Sequence, residues 1–359
     1  MVIFHLYYDM IMAGIQTMLI NIANEQVLAG HQVKILILND AVNQSLYKSL
    51  SDKVELVNFG KKVRSKNPYP IVKMNVYLMT HHFDILHVHN PRLSRMIFIP
   101  IPQNKKCCTL HCLCNGRLDS DYLFKFNHNF AISKAVKQDI YDKYKINAIT
   151  VYNGIETSCF KNSGTKKSQT DGKFHILQVG RLYTEVKGQD LTIKAISLLE
   201  KDLRENVVVD FIGDDQNQGL ESLKLLVKEL DLQNQVNFLG LQKQAYVANH
   251  ICEYDLYVQP SRKEGFGLTV AEAMASKVPV LVSDVAGPMD VIENGTYGFY
   301  FKNGEEQDYS NKLAVIMKMS TQDIDRLVEK AYRRVADNFD VKVTANNYLI
   351  EYQKILANS

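Results

Sequence analysis

The chain has 359 residues, more than one ordinary hydrophobic core accommodates, and this length indicates two domains. Apolar residues make up 46% and charged residues 23% of the sequence, which is typical of a globular protein with enough apolar material for two cores. No run of eighteen or more apolar residues occurs, so the sequence predicts no membrane-spanning helix.

The first half of the sequence alternates short apolar runs with helical patterns. Residues 2–6 predict a buried strand rather than a signal peptide, because no positively charged segment precedes them. A helix is predicted over 15–29. Further strands are predicted at 33–38, 54–59, 85–88, 107–110, 130–132 and 149–151. Repeated strand–helix–strand units of this kind form a parallel sheet with right-handed crossovers.

Residues 161–173 are polar and lack apolar periodicity, and they predict a flexible linker. After it, strands are predicted at 175–179, 207–212, 236–239, 256–258 and 280–282, with helices at 191–199 and 220–230. The strands end at Gly180, Gly213, Gly240 and Gly265, and ligands of doubly wound sheets bind at such carboxyl ends. No GxGxxG follows the first strand of either half, which argues against a nicotinamide dinucleotide site.

The stretch 260–279 contains the turn Gly-Phe-Gly at 265–267, where the backbone can come close to a ligand. A helix should follow, with Thr269 and Glu272 at the spacing of a capping box. A glycine turn leading into a helix is an anion site, and Glu264 and Glu272 frame it. This pattern suits a nucleotide attached to a sugar. The alternative is that Glu272 only caps the helix and Glu264 is a solvated loop charge.

Four cysteines surround His111, namely Cys107, Cys108, Cys112 and Cys114. Such a group suggests zinc, but the spacing does not match paired CxxC knuckles and no second cluster completes a site. We therefore expect reduced thiols in and after a strand. For His87 and His89 we expect local hydrogen bonds rather than a catalytic role.

A series of motifs in this order resembles the GT-B glycosyltransferases of family GT4, which are retaining and use nucleotide sugars. The motifs are Asn153-Gly154-Ile155 with Phe160, Val179-Gly180-Arg181-Leu182 with Lys187-Gly188, Pro260-Ser261 with Glu264 to Leu268 and Glu272, and Ser283-Asp284 with Gly287-Pro288 and Ile292. The last of these resembles the subgroup that builds bacterial surface polysaccharides. The resemblance covers most of the chain.

The resemblance implies a GT-B fold, an α/β architecture of two doubly wound Rossmann-like domains facing across a cleft. Residues 1–160 would be the acceptor-side domain and residues 174–340 the donor-binding domain, with 161–173 as the linker. The last helix, within 341–359, would cross back to the first domain. That helix carries Tyr348 and Tyr352 at roughly helical spacing.

The resemblance also implies roles for individual residues. The catalytic set would be His111, Arg181, Lys187 and Glu264, and the donor-binding set would be Gly14, Arg181, Lys187, Gly213, Glu264, Gly265, Phe266, Gly267, Leu268 and Glu272. Arg181 and Lys187 would neutralise the donor diphosphate, while Glu272 would accept from the ribose. No metal or cofactor is implied, and Asp214-Asp215 should occupy a strand-end loop. The chain departs from the family at Ala13, where glycine is common, and in an interval from Arg181 to Lys187 that is one residue longer.

The activity implied is transfer of a hexose or N-acetylhexosamine from a nucleotide sugar, expected to be UDP-linked, to a saccharide or lipid-linked saccharide acceptor. The pathway implied is synthesis of lipopolysaccharide, capsule or another surface polysaccharide. Two alternatives stay open from the residues alone. A GT-B sugar-nucleotide epimerase would bind a similar donor without an acceptor, and a non-catalytic sugar-nucleotide-binding subunit would activate a partner.

Charge divides unevenly along the chain. Residues 1–150 contain 18 Lys+Arg and 10 Asp+Glu, a balance of +8, whereas residues 151–359 contain 24 and 29, a balance of −5. Lys61, Lys62, Arg64 and Lys66 form a local cluster just before Tyr69. We therefore expect a cytoplasmic protein that attaches peripherally to the anionic inner face of the membrane. Nucleic acid is a weaker expectation because no recognition motif accompanies the charge.

Overall fold

The computed structural model describes residues 1–11, 14–113, 120–215 and 218–357, without the side chains of residues 120 and 121. The chain folds into two compact units, each built around its own parallel sheet. Unit 1 comprises Met1–Ile155 and Asn338–Ser359, and unit 2 comprises Glu156–Asp337. The chain therefore changes unit a few residues before each of the boundaries expected at 160 and 340.

Unit 1 contains a sheet with the strand order β3-β2-β1-β4-β5-β6-β7. Its strands are β1 Val2–Tyr7, β2 Gln32–Asn39, β3 Glu55–Lys61, β4 Ile85–Val88, β5 Lys106–Leu110, β6 His128–Ala131 and β7 Ile149–Thr150. The described pairings are parallel, and His5 of β1 lies opposite His87 of β4. The order reverses between β1 and β4, which is where doubly wound sheets bind ligands.

The helices of the first 155 residues are α1 Gly14–Leu28, α2 Gln44–Lys48, α3 Tyr69–Thr80, α4 Ser120–Leu123 and α5 Lys134–Tyr144. Local side chains define where several of them begin. Ser133 caps α5 by accepting from the amide of Val136, and α3 begins after Pro68 with a second proline in its first turn. Proline is tolerated there because the first helical N–H groups have no intrahelical acceptor.

Unit 2 contains a sheet with the strand order β10-β9-β8-β11-β12-β13. Its strands are β8 Phe174–Val179, β9 Val207–Ile212, β10 Val236–Phe238, β11 Leu256–Gln259, β12 Val280–Ser283 and β13 Phe299–Phe301. The helices are α6 Ser168–Asp171, α7 Thr184–Lys187, α8 Gln189–Ser197, α9 Lys201–Glu205, α10 Gly219–Glu229, α11 Gln244–His250, α12 Leu268–Ala275, α13 Ala286–Val291, α14 Glu306–Met317 and α15 Thr321–Asn338. None of the described helices in either unit is long and apolar enough to cross a bilayer.

The C-terminal helix α16, Val341–Ala357, packs into unit 1. Tyr348 and Tyr352 are fully buried in the same core as β1 and α1. The junction before it is tight, because a Cβ at Gly154 would lie 2.5 Å from the hydroxyl oxygen of Thr344. The Asn-Gly motif at 153–154 therefore serves the packing of α16.

Residues 161–173, predicted as a linker, belong to unit 2 and contain α6. The ammonium nitrogen of Lys167 lies 2.7 Å from Oδ2 of Asp210 and 2.6 Å from the hydroxyl of Tyr254. Lys166 donates to the carbonyl of Tyr254 at 2.6 Å. Polar contacts anchor the segment, so it carries no apolar periodicity that a sequence could reveal.

Candidate active site

The loops that follow β8, β9 and β11 in unit 2 approach one another with little space between their backbones. A Cβ at Gly213 would lie 1.9 Å from the carbonyl oxygen of Gly180. Gly188 has φ +68°, and a Cβ there would lie 2.0 Å from the carbonyl oxygen of Pro260. Only glycine fits such positions. These glycines therefore bring three strand-end loops of unit 2 together.

Lys187 and Glu264 form the central ion pair of these loops. Nζ of Lys187 lies 2.7 Å from Oε2 of Glu264, and the two side chains are 24% and 20% exposed. Glu264 also accepts from Nε2 of Gln259 at 3.2 Å and from the amide of Gly265 at 3.1 Å. The longer interval after Arg181 is taken up by the single turn of α7. Lys187 therefore reaches the loop before α12 and remains accessible to a ligand.

Gln259 connects this pair to α12 and was not predicted from the sequence as a site residue. Its Oε1 accepts from the hydroxyl of Thr269 at 2.7 Å and from that of Tyr257 at 3.2 Å, while its Nε2 donates to Glu264. The signal that could have indicated it is a polar residue closing an otherwise apolar strand. Gln259 thereby fixes the orientation of the Glu264 carboxylate.

Arg262 braces the same loop from the other side. Its guanidinium donates two hydrogen bonds to the carboxylate of Asp190, at 2.8 and 2.7 Å. Its backbone amide donates to the carbonyl of Val186 at 2.8 Å. A bidentate pair of this kind has a defined geometry, so the loop of β11 is held against α7 and α8.

Helix α12 begins at Leu268, directly after Gly267 with φ +107°. The predicted capping box is wrong, because the helix starts before Thr269 and the Thr269 hydroxyl bonds Gln259 instead. Glu272 consequently lies in the second helical turn. The first N–H groups of any helix lack intrahelical acceptors, so the start of α12 retains the properties of an anion site.

Glu272 is a half-buried carboxyl group on α12. Burial raises the pKa of Glu272 to about 7. Near neutral pH the group is therefore divided between a carboxylate, which only accepts hydrogen bonds, and a carboxylic acid, which can also donate one.

Arg181 follows β8 with an exposed side chain. Its carbonyl accepts from Nε2 of Gln189 at 2.8 Å, which fixes the backbone. Its guanidinium has no ion-pair partner in the part of the chain that the structure describes. Arg181 therefore offers a cation to a ligand without first breaking a protein ion pair.

The remaining motif residues of unit 2 brace loops. Oδ1 of Asp215 accepts from the amide of Leu220 at 3.0 Å, as expected for a strand-end loop. Ser283 donates from its hydroxyl to the carbonyl of Ser261 at 2.6 Å. Phe266, between the two glycines, is only 2% exposed and contributes to the core.

In unit 1 the predicted site residues are His111, which follows β5, and Gly14, which begins α1. Met12, Ala13 and Cys114 lie outside the described residues. Cys107 and Cys108 are buried in β5, and burial raises the pKa of both thiols.

His111 ends a chain of hydrogen-bonded buried side chains. Nε2 of His111 lies 3.2 Å from Nδ1 of His89, and Nε2 of His89 lies 2.9 Å from Nδ1 of His5. Nε2 of His5 in turn lies 2.7 Å from Oε1 of Gln26. Neither His5 nor Gln26 was singled out from the sequence.

His87 belongs to a second network. Its Nδ1 contacts the hydroxyl of Tyr352, and its Nε2 lies 2.6 Å from Oγ1 of Thr109, which lies 3.1 Å from the hydroxyl of Tyr348. The hydrogen bonds expected for His87 and His89 are thus present. The His87 ring stacks on that of His89 with centroids 4.0 Å apart.

The rings of these two networks, those of His5, His87, His89 and His111, are uncharged near neutral pH. Burial lowers the pKa of His111 to about 3, and burial lowers that of His5 to about 4 despite the opposing hydrogen bond to Gln26. Burial also lowers the pKa of His87 and His89 well below the ordinary value. An uncharged imidazole has one N–H donor and one acceptor nitrogen, so the direction of each hydrogen bond matters.

Both halves of the chain match glycosyltransferase family models. Residues 161–334 match "Glycosyl transferases group 1", and residues 12–158 match "Glycosyltransferase Family 4". Over 184 residues the chain is 30% identical to the D-inositol 3-phosphate glycosyltransferase of Nocardia farcinica. That match covers 50% of this chain and 40% of the relative, so the chain spans less than half of the relative's length.

Solved structures match along nearly the whole chain. Anabaena HepE, crystallised with UDP and glucose, has a TM-score of 0.78 at 21% identity, covering 99% of both chains. WaaG, a glycosyltransferase involved in lipopolysaccharide biosynthesis, has a TM-score of 0.72 at 17% identity, covering 96% of this chain and 98% of WaaG. Two parallel-sheet α/β units with these neighbours define a GT-B fold, as the sequence predicted. Together with the family matches, this places the chain among the GT4-like glycosyltransferases.

Proposed function

We propose that this protein transfers a hexose or an N-acetylhexosamine from a nucleotide sugar, with UDP as the expected nucleotide. The observation that carries the proposal is the accessible Lys187–Glu264 pair before α12, together with the Arg181 guanidinium, which has no ion-pair partner among the described residues. Two positive charges and a helix N-terminus suit a diphosphate, and a carboxylate among them suits sugar hydroxyls. The complex of HepE with UDP and glucose supports this choice of donor.

The proposed chemistry follows from the leaving group. The bond between the anomeric carbon and the diphosphate oxygen breaks as negative charge develops on that oxygen, and Arg181 and Lys187 stabilise this charge without a bound metal. The acceptor hydroxyl oxygen bonds to the anomeric carbon on the face that the diphosphate leaves, so the configuration is retained. Its proton passes to the departing diphosphate oxygen.

Other residues hold the substrates in this proposal. Glu264 accepts from donor-sugar hydroxyls while it orients Lys187. Glu272 binds the ribose hydroxyls. Gly14 leaves room for the donor, Gly213 lets the loop after β9 pack against the loop after β8 in the donor-binding region, and His111 of unit 1 acts at the reacting sugar. These roles rest on the motif resemblance, and that of Gly213 also on the close packing of the strand-end loops.

The acceptor we propose is a saccharide, free or lipid-linked, in the synthesis of a bacterial surface polysaccharide. The motif at 283–288 resembles that subgroup, and WaaG supports the same pathway class. A lipid-linked acceptor is insoluble in water, so an enzyme acting on it benefits from binding the membrane surface.

An exposed apolar face on α3 supports membrane attachment. Tyr69, Val72, Val76 and Met79 lie at helical spacing and are 68%, 49%, 47% and 67% exposed. Phe98 is 70% exposed, and its amide donates to the α3 side chain of Asn75 at 2.7 Å. Apolar groups this exposed and this close together mark an interaction surface. We call this set of residues the α3 face.

Basic residues border the α3 face. Residues 60–83 contain five lysines and arginines and no aspartate or glutamate, and Lys62, Arg64 and Lys66 are exposed. An amphipathic helix beside a basic cluster suits an anionic bilayer, which attracts each basic residue by about 1 kcal/mol. We therefore propose that the α3 face and the 61–66 cluster bind the anionic membrane surface.

A donor panel tests the activity. The purified chain would be incubated with labelled nucleotide sugars, with and without an extract of lipid-linked saccharides. We expect transfer of label from a UDP-sugar that depends on the acceptor. Interconversion of donors without acceptor would instead indicate an epimerase, and donor binding without turnover would indicate a non-catalytic subunit. Either result contradicts the proposal.

Vesicle sedimentation tests the membrane surface. The wild type should bind vesicles of anionic lipid at low salt, bind neutral vesicles little, and be released by salt. Exchange of Lys61, Lys62, Arg64 and Lys66 for serine should reduce binding. A matched control exchanges four exposed lysines of unit 2 for serine, namely Lys224, Lys228, Lys243 and Lys312. Equal loss in both variants, or no binding by the wild type, would refute the proposed surface.

A further inference from the structure

Three buried histidines in unit 1 lie close enough to suggest a metal site. One ring nitrogen from each of His5, His87 and His89 lies within 4.8 Å of the other two. All six ring nitrogens of these histidines already have hydrogen-bond partners: Gln26 and His89 for His5, Tyr352 and Thr109 for His87, and His5 and His111 for His89. A metal would have to displace these bonds, so a hydrogen-bonding function accounts better for the cluster.

Gln26 determines which group donates and which accepts in the hydrogen-bond network of His5, His89 and His111. Its side chain is fully buried on α1 and turns its carbonyl oxygen towards Nε2 of His5. A carbonyl oxygen only accepts hydrogen bonds, so His5 must carry its proton on Nε2 and present a lone pair at Nδ1. The other network lacks this property, because His87 bonds only hydroxyl groups, which can either donate or accept.

The same donor–acceptor order then holds for the next hydrogen bonds of this network. His5 accepts at Nδ1, so His89 must donate from Nε2 and accept at Nδ1. By the same reasoning, His111 must donate from its Nε2. Its Nδ1 is left as an acceptor, and this buried nitrogen has no hydrogen-bond partner among the described residues. A buried acceptor without a partner is costly unless something else binds to it.

We propose that Gln26, His5 and His89 are positioning residues that hold His111 in its Nε2–H tautomer, so that the lone pair of Nδ1 accepts a hydrogen bond from a substrate hydroxyl group. The tautomer assignment stands on the hydrogen bonds of unit 1. The identity of the substrate group as a sugar hydroxyl rests on the proposed function. If the donors and acceptors of this network were reversed, Nδ1 of His111 would carry a proton and could not accept a hydrogen bond.

Nitrogen NMR of the full chain labelled with ¹⁵N-histidine tests the tautomer without any activity measurement. The wild type should show His111 with a pyrrole-type Nε2 and a pyridine-type Nδ1. Gln26→Met removes the acceptor that sets the direction, so His111 should become a mixture of both tautomers. His5→Phe interrupts the chain at its second member and should have the same effect. Circular dichroism would establish that each variant is folded.

Tyr348→Phe is the matched control, because it removes a buried hydroxyl from the second network and should leave the His111 tautomer unmixed. A wild-type spectrum with a protonated Nδ1 on His111 would overturn the proposal even if Gln26→Met failed to fold. So would a single unchanged tautomer in both Gln26→Met and His5→Phe.

If no sugar is transferred by the wild type, the function proposal fails while the tautomer result stands. If transfer occurs, Gln26→Met should lower its rate at least several-fold and leave UDP affinity unchanged.

Discussion

Exchanges at the two ends of the Lys187–Glu264 pair should change nucleotide binding differently, although both break the same ion pair. Lys187→Met removes the cation that we propose meets the diphosphate. A hydrogen bond to a charged group contributes about 1.5–3 kcal/mol, which corresponds to a UDP affinity about 10- to 150-fold weaker. The carboxylate of Glu264 would also lose its partner at 2.7 Å and remain beside the phosphates as an uncompensated charge.

Glu264→Gln should have no such effect on UDP. Glutamine can still accept from the amide of Gly265, which lies 3.1 Å from the present carboxylate. Lys187 would no longer have to leave a carboxylate to reach a phosphate. An ion pair as exposed as Lys187–Glu264 contributes about 1 kcal/mol. Glu264→Gln should therefore bind UDP as tightly as the wild type does, or up to about fivefold more tightly. The additional affinity for the attached sugar should fall.

Titration calorimetry with UDP and with a UDP-sugar, on the wild type, both single variants and the double variant, measures these differences. Thermal unfolding of each variant would separate binding effects from lost stability. We expect each single exchange to cost about 1 kcal/mol of stability and the double exchange less than their sum, because the residues are in contact. If Glu264→Gln weakens UDP as much as Lys187→Met does, the assignment of the cation to the diphosphate is wrong.

Four further predictions follow from the site. Burial raises the pKa of Glu272 to about 7, so the folded state keeps a proton that the unfolded chain releases near the ordinary pKa of glutamate. The unfolding free energy should therefore fall as pH rises from about 5 to 8. Glu272→Gln should flatten this dependence in urea titrations. Arg181→Ala should lower turnover more than it weakens binding of the free nucleoside, and an unchanged rate under saturation would remove Arg181 from the mechanism. His111→Ala should spare UDP affinity but depress transfer, as equilibrium binding and initial rates would reveal. Gly213→Ala should cost more than about 2 kcal/mol in denaturant unfolding, since its Cβ would lie 1.9 Å from the carbonyl of Gly180, and a smaller loss would show that the strand-end loops separate easily.

The alternation of strands and helices could be predicted from the sequence because buried parallel strands are continuous apolar runs. The predicted bounds at 85–88 and 207–212 coincide with β4 and β9. Strand β13, which has three residues and exposes Tyr300, was missed. The equally short edge strand β10 was predicted, so length alone does not account for the omission.

The position of the unit 2 site could also be predicted, because its glycines and charges lie within short stretches at strand ends. Details of the helix start could not. Spacing alone indicated a cap at Thr269, whereas the left-handed Gly267 lets α12 begin at Leu268. The polar segment 161–173 resembled a linker because local sequence does not show what it contacts. Its Lys167 bonds the buried Asp210, which lies 43 residues further along the chain.

Only the tertiary structure decided which buried polar groups meet. Gln26 and His5 are 21 residues apart, and His5 and His89 are 84 residues apart, yet they form consecutive hydrogen bonds. These contacts exist because β1 and β4 are adjacent in the sheet and α1 packs over them. Local sequence determines which residues are apolar or polar along each strand. Strand order and helix packing determine which acceptor faces which donor, and thereby which ring nitrogen of His111 is left without a partner among the described residues.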